Sequence, residues 1–422
     1  MTDGADRLSS WFAPSGTWTT LELHRRHFDP TPPVSRSPDD AFIAAVERSG
    51  LRGRGGGGFP TAVKLRAVTR GRRRPVVLVN GSEGEPASVK DAVLMSRAPH
   101  LVLDGALLAA SAVGADEVVL AVKGGPARRA IARAVEERHQ AEPWTPRIRI
   151  VDVPTHYLVG EERALVNLVN RGRPMPPPGT WRPFERGLSN RPTLVQNVET
   201  VANLAVIRRI GAEHFREVGH PDEPGTMLVT VGGAAHDPGV YEVPTGTEVV
   251  EVLRAAGGAV EEIAAVLAGG YAGAWVSGGA IERATLDRAG MHSVGGVVGC
   301  AALVALPASA CGLGETAAVM RWLSTQTAGQ CGPCVFGLDA IAAVVEDLWR
   351  GTAHGDAVAR LVRWAGEVEG RGACRLPDGA MRFLRSALSA FEEDVRQHGR
   401  GRPCRSASRG ITLPIPGAGV AA

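Results

Sequence analysis

Pro75-Val76-Val77-Leu78-Val79-Asn80-Gly81-Ser82-Glu83-Gly84-Glu85-Pro86 is the stretch on which the fold turns. Four consecutive apolar residues, three of them β-branched, end at an Asn-Gly pair. Such a run reads as a strand buried on both faces, followed by an acidic loop. A helix is expected next, over 88–95. The same alternation continues with a helix over 101–113, a strand over 117–122, a helix over 127–138 and a strand over 147–153. Strands alternating with helices predict an α/β domain with a parallel sheet covered on both faces. Further helices are expected over 161–170 and 193–210.

Upstream of this core, residues 1–38 read as a lead-in with weak periodicity. Asp39 and Asp40 cap a helix over 41–48 that stops at Gly50, and Phe59-Pro60-Thr61 opens another. Downstream, the pattern changes near Pro221. Met227-Leu228-Val229-Thr230-Val231-Gly232-Gly233 and Gly239-Val240-Tyr241-Glu242-Val243-Pro244 read as a hairpin, followed by a helix over 248–256. Helices over 315–326, 335–350, 356–368 and 377–398 suggest a four-helix bundle, with Val358, Leu361, Val362 and Ala365 on one apolar stripe. The organisation expected is therefore a lead-in (1–38), an α/β domain (39–222), a small α+β module (223–310), a helical bundle (311–398) and a disordered tail (399–422). No internal repeat is found.

Composition excludes several classes. The chain of 422 residues has 47 basic and 44 acidic residues, a formal net charge of +3. A chain-wide nucleic-acid footprint is not expected from that balance. The first residues carry neither a basic stretch nor an apolar one, so no secretory signal is read. The longest uncharged run, 293–314, is broken by glycines and Pro307 and is not read as a membrane span. Six cysteines in this length do not make a disulfide scaffold, and free thiols or metal ligands are expected instead. The basic residues are nearly all arginine. Of three lysines, Lys64 and Lys90 fall beside the motifs below.

Four segments could carry chemistry. Gly53-Arg54-Gly55-Gly56-Gly57-Gly58 fits the spacing of a dinucleotide fingerprint, but a helix precedes it where that fingerprint needs a strand. A glycine run before a helix N-terminus still offers backbone N–H groups to an anion, and Arg54 and Lys64 add positive charge. The bland alternative is a solvated loop. In Asn80 to Pro86, Asn80 and Ser82 can bond a polar cofactor, and Glu83 and Glu85 can accept from it. The alternative is a turn capping the next helix. Tyr157-Leu158-Val159-Gly160-Glu161-Glu162 follows a strand in the same way, and its acids are as readily dipole partners. Cys331-Gly332-Pro333-Cys334 with the distant Cys374 allows a redox pair, zinc or an iron–sulfur cluster. The redox pair lacks its preceding strand, zinc lacks a suitably spaced His–Cys pair, and the cluster suits two thiolates from a turn and one from afar. Cys300 is expected to be core.

Taken in order, Gly50 to Thr61, Asn80 to Pro86, Gly160-Glu161-Glu162 and Gln196-Asn197-Val198-Glu199-Thr200 resemble the NADH-binding flavoprotein (F) subunit of bacterial respiratory complex I. That family includes the related diaphorase subunits of NAD-linked hydrogenases and formate dehydrogenases. The resemblance runs from about 38 to 397, and within it 223–310 looks like a ubiquitin-like β-grasp module of the soluble-ligand-binding (SLBB) type.

The resemblance implies an NADH-oxidising diaphorase. NADH gives a hydride to FMN, and electrons pass singly to a 4Fe–4S cluster and a separate partner, a thioredoxin-like 2Fe–2S subunit or a ferredoxin. It assigns Gly53, Arg54, Gly55, Gly56 and Lys64 to the FMN phosphate and ring edge. Asn80, Ser82, Glu83, Tyr157, Gly160, Glu161, Glu162, Gln196 and Asn197 belong to the flavin pocket. Glu85 is set beside the nicotinamide with Glu83 as the second catalytic acid, Phe59 against the adenine, and Cys331, Cys334 and Cys374 on the cluster. A cytoplasmic protein, peripheral to the membrane through a partner, is implied. The acidic pocket favours NADH over NADPH. The chain departs from the pattern at Ser82, Gln196, Ala67 and above all Ala328, which stands where the family has its first cluster cysteine. A four-iron cluster with another fourth ligand, a three-iron cluster and no cluster all remain open. The competing reading is a non-catalytic docking subunit of the same fold that has lost its cluster.

Overall fold

A computed structural model describes residues 8–14, 16–30, 37–141, 146–177, 179, 181–408 and 410–416. The outermost parts of the lead-in (1–7, 31–36) and of the tail (417–422) lie outside the described residues. Two compact units form. The first comprises Met1–Gly84, Val89–Leu228 and Glu242–Gly246, and the second Glu85–Ser88, Val229–Tyr241 and Thr247–Ala422.

The first unit is built on four parallel strands, β1 (Val76–Gly81), β2 (Glu117–Lys123), β3 (Arg147–Val153) and β4 (Thr193–Asn197), in the order β3-β2-β1-β4. Val76, Val77, Leu78 and Val79 are all buried, as a central strand covered on both faces requires. β3 carries Arg147, Arg149 and Asp152 in its sequence and is half-exposed along most of its length, as suits an edge. The alternation read from sequence is present, with one correction. The segment 193–210, expected as a single helix, is a strand followed by the helix Val198–Ile210. Asn197 divides them. Its extended backbone ends the strand while its Oδ1 accepts from the N–H groups of Glu199 (2.9 Å) and Thr200 (3.4 Å).

That strand creates the feature that positions the site. β1, β2 and β3 step away in one direction, and β4 lies on the opposite side of β1. Such a reversal opens a crevice at the carboxyl ends of the two strands. Asn80 and Asn197 are register partners there. Below, the helix Pro99–Val113 packs on Val198–Ile210 so closely that a Cβ added at Gly105 would lie 1.7 Å from the Val201 carbonyl oxygen. The helix Leu21–Arg25, inside the expected lead-in, docks on the same layer through a buried cluster. His24 Nε2 meets Asp104 Oδ2 at 2.6 Å, Arg138 Nη2 meets Asp104 Oδ1 at 2.6 Å, and His100 lies between Arg138 and Glu137.

The second unit holds a mixed five-stranded sheet: β5 (Thr226–Gly233), β6 (Gly239–Pro244), β7 (Ile263–Ala268), β8 (Ala274–Ser277) and β9 (Ala302–Pro307), in the order β8-β7-β9-β5-β6. β9 is parallel to β5 and antiparallel to β7. Cys300, expected in the strand, lies half-buried in the turn before β9. Residues 311–398 pack on this sheet within the same unit. Trp275 donates its backbone N–H to Ser386 Oγ (2.9 Å) and stacks edge-on against Phe391.

The helices differ from expectation in three places. The first starts earlier, at Gly312, with Cys311 as its N-cap. The last is broken at Phe391 into Leu376–Ala390 and Glu392–His398. In Ala357–Val368 the buried face is Ala357, Leu361, Ala365 and Val368, and Val358 and Val362 are turned outward. The expected disorder of 399–422 does not hold over 399–408 and 410–416. Thr412 and Leu413 donate to the buried Glu315 carboxylate, Leu413 is buried, and Tyr271 Oη donates to Pro414 O at 2.9 Å. Composition cannot see a strap held by one carboxylate and one tyrosine. Among the described residues no single helix is long and apolar enough to cross a membrane.

The buried cluster in the first unit sets an acid limit on stability. Burial, with Arg138 and His24 adding to it, holds His100 down to about 3, against an ordinary 6.5. Below pH 6.5 the unfolded chain takes up a proton that the folded one refuses. The stabilisation is therefore complete above pH 6.5 and falls as the pH drops towards 3. His100→Gln is expected to flatten the decline of the melting temperature between pH 6.5 and about 4.5. A decline parallel to that of the unmodified protein would contradict this account.

Candidate active site

The crevice between β1 and β4 contains a cavity of about 210 Å³. Of the residues singled out in the sequence, Gly53, Gly55, Phe59, Lys64, Asn80, Gly160, Glu162, Gln196 and Asn197 line it. Gly57, Gly58, Val195 and Thr200 complete the wall.

The glycine run is a closed loop between two helices. Gly53 N–H donates to Phe59 O (2.9 Å), and Arg52 Nη1 to Gly58 O (3.2 Å). The backbone N–H of Arg54 donates to Thr200 Oγ1 at 2.9 Å, which ties the loop to the helix after β4. Gly55 permits a close approach, since a Cβ there would stand 3.0 Å from Asn197 Cβ. Gly56 turns the chain at φ +97° and is not among the lining residues. Phe59 is 49% exposed at the rim.

Polar groups enter from three sides. Lys64 Nζ donates to Glu162 Oε2 (3.0 Å) and Val195 O (3.3 Å). Asn80 Nδ2 donates to Gly160 O (3.0 Å), and Ser82 Oγ donates to Asn80 Oδ1 (2.7 Å). Ser82 thus fixes which way the Asn80 amide faces while being buried itself. Gln196 is 4% exposed, and its Nε2 has no hydrogen-bond partner. A buried amide donor left unpaired in a cavity wall is costly unless a ligand completes it.

Besides Gly56 and Ser82, five expected residues lie outside the lining. Arg54 is buried and turned away, its Nη2 donating to Pro224 O at 3.0 Å. Glu83 accepts from the N–H groups of Asp91 (2.9 Å) and Ala92 (2.8 Å), so it caps the helix Lys90–Arg97. Burial and the nearby Asp91 raise its proton affinity. Glu161 caps the helix Glu162–Arg171 through Ala164 N–H at 2.7 Å. Tyr157 sits in a short 3-10 turn over Tyr157–Gly160 and does not line the cavity. Glu85 belongs to the second unit, where it accepts from the N–H groups of Ala87 (3.1 Å) and Tyr271 (2.9 Å). The capping alternative therefore describes Glu83 and Glu161, whereas Glu162 faces the cavity.

Sequence reasoning missed what braces the crevice. Lys90 is fully buried, with Nζ 2.6 Å from Asp91 Oδ1 and 2.7 Å from Glu199 Oε2. Asp91 Oδ2 in turn accepts from Asn197 Nδ2 at 2.5 Å. Burial disfavours the ammonium, but the two carboxylates outweigh burial and hold Lys90 protonated. The scarcity of lysine was the only signal.

In the second unit, Cys331, Cys334 and Cys374 converge. Cys331 Sγ accepts from Ala373 N–H (3.4 Å), and Cys334 lies in the first turn of a π-helix, Pro333–Leu338. Burial and the facing Cys374 and Cys331 push the Cys334 thiol up to about 12. Three soft donors brought together in this way suit a cationic iron–sulfur group. Ala328 lies in the loop before them and offers no ligand atom.

Residues 46–206 match the family described as the Nuo51 FMN-binding domain, and 315–398 match the NADH-ubiquinone oxidoreductase-F iron-sulfur binding region. The F subunit of NADH-quinone oxidoreductase in Streptomyces coelicolor is 30% identical over 94% of this chain and 92% of its own. The F 2 subunit of the same enzyme in Rhizobium meliloti is 30% identical over 86% of this chain and 90% of its own. An air-oxidized NAD+-reducing [NiFe]-hydrogenase superposes with a TM-score of 0.82 at 28% identity, over 93% of this chain. This chain spans 66% of that hydrogenase chain.

The bracing makes a stability prediction. Lys90→Met leaves Asp91 and Glu199 as facing, uncompensated carboxylates and is expected to cost about 3–5 kcal/mol. It should be read as a large drop in melting temperature and soluble yield. A melting temperature within a degree or so of the unmodified protein would show that the buried ion pairs do not hold the crevice together.

Proposed function

Because this chain belongs to the family of NADH-quinone oxidoreductase F subunits, we propose that the crevice between β1 and β4 is its flavin pocket and that it oxidises NADH in the diaphorase manner. It is an NADH-binding FMN flavoprotein subunit with an iron–sulfur region and an electron-transfer role, and it works with other electron-transfer subunits.

One observation carries the placement: the buried, unpaired Nε2 of Gln196 in the wall of a glycine-lined cavity. It supplies a donor where a flavin ring edge needs one, and the residues present fit the group. Lys64 brings the only lysine charge to this wall, steadied by Glu162, and suits the anionic end of FMN. Asn80, oriented by Ser82, presents its amide at the carboxyl end of β1. The exposed ring of Phe59 offers a face for the adenine of NADH. Bound FMN supplies a two-electron acceptor that releases electrons one at a time. The chain's part is to hold, orient and shield it.

Cys331, Cys334 and Cys374 are the ligands we assign to the cluster, which Ala328 leaves without a fourth cysteine. The order of β5–β9, with the first and last strands parallel and central, supports a ubiquitin-like reading of 223–310. The capping roles of Glu83 and Glu161 leave Glu162 as the acid of the cavity.

Anaerobically purified protein should carry FMN, and NADH should bleach its absorption band. Gln196→Leu is expected to weaken FMN binding about tenfold, or roughly 1.4 kcal/mol, with little change in melting temperature. A colourless protein that takes up no FMN, or unchanged affinity in Gln196→Leu, would overturn the placement.

A further inference from the structure

A second group of soft donors lies in the second unit, apart from Cys331, Cys334 and Cys374. Cys311, at the N-cap of the helix Gly312–Thr325, is buried, and so is His398, at the end of the helix Glu392–His398. Cys404 follows in the strap. Cys311 Sγ lies 3.9 Å from His398 Nε2, and the three ligand atoms all lie within 4.8 Å of one another. Residues from three different elements meet at one point, although Cys311 is far in sequence from the other two.

We propose that Cys311, His398 and Cys404 bind a zinc ion. A tetrahedral site with Zn–S near 2.3 Å and Zn–N near 2.0 Å needs ligand atoms about 3.6–3.8 Å apart, so the present spacing closes with small shifts. The surroundings are those of a metal site. His398 Nδ1 lies 2.6 Å from the Trp349 carbonyl oxygen, which fixes the proton on that nitrogen and leaves Nε2 with a lone pair to give. That lone pair already accepts from Cys404 N–H at 3.0 Å. Gly314 N–H donates to Cys311 Sγ at 3.3 Å, a contact that favours thiolate. The three residues leave the fourth corner of the tetrahedron to a solvent molecule. Two thiolates and an imidazole select zinc among common divalent ions of tetrahedral habit. Binding sends both thiol protons to solvent and exchanges the Cys404 N–H contact at Nε2 for the metal. No electrons are transferred.

The ion would staple the C-terminal strap. Beyond Cys404 the strap reaches Glu315 through Thr412 and Leu413, and Tyr271 through Pro414. Tyr271 N–H holds the Glu85 carboxylate. The staple thus acts through the strap on the loop that carries Glu85.

The test is elemental analysis of the purified full chain. About one zinc per chain is expected, falling to about a tenth or less in Cys404→Ser and in Cys311→Ser while iron stays unchanged. Cys334→Ser should do the reverse, which keeps this site separate from the iron–sulfur assignment. Cobalt(II) added to zinc-free protein should give the intense visible bands of tetrahedral thiolate coordination, lost in Cys404→Ser. Should Cys311→Ser fail to fold, the strap variant Cys404→Ser and the cobalt spectrum of the unmodified chain decide. Absence of zinc, zinc unaffected by Cys404→Ser, or a Cys311–Cys404 disulfide found by mass spectrometry would each overturn the proposal.

Discussion

Everything at the crevice depends on one buried ammonium held between two carboxylates. Lys90 sits under the junction of β1 and β4, and through Asp91 it reaches the Asn197 side chain that ends β4 and starts the next helix. Glu199 extends the same network to the Leu228 N–H at 2.9 Å. A reversal of strand order opens a gap that the hydrophobic effect alone would tend to close, because apolar burial has no preferred direction. Directional charge contacts beneath the gap fix its width. The polar groups above it are then free to face a ligand, and Gln196 is left with a donor that nothing in the chain satisfies.

The same logic explains why an acidic motif divides its labour. A backbone that leaves a strand and enters a helix presents unpaired N–H groups, and nearby carboxylates meet that demand first. Glu83 and Glu161 do so. Glu162, one position later than Glu161, has no cap to make and faces the cavity beside Lys64. In a motif of this kind, distance from the helix start decides which acid is available to a cofactor.

Much of this was legible in the sequence. The uninterrupted apolar run of β1 and its repeat in β2 announce a covered parallel sheet, and the glycine run announces a loop before a helix, though not that this loop is closed. The switch point was not legible, because Leu194 and Val195 are as compatible with a helix start as with a short strand. Only the pairing with Val77 and Leu78 decides it. The capping glutamates, the inward turn of Arg54 and the outward turn of Val358 and Val362 depend on tertiary partners far along the chain. The strap is a similar case, since Arg, Gly, Pro and Ala in a terminal segment carry no periodicity. What orders it is a carboxylate nearly a hundred residues earlier. His398 and Cys404 escape a reading of the sequence for the same reason: their third partner, Cys311, is remote.

The strap also says something about how the chain reaches its final form. Glu315 is buried, and the groups that satisfy its carboxylate are Thr412 and Leu413, nearly a hundred residues later in the chain. Until they leave the ribosome, the second unit carries an unsatisfied acid at its centre, and burying it then is unfavourable. The first unit needs nothing beyond Gly246 and can close while translation proceeds. Closure of the helical end therefore waits for a segment far downstream of the residues that complete the first unit.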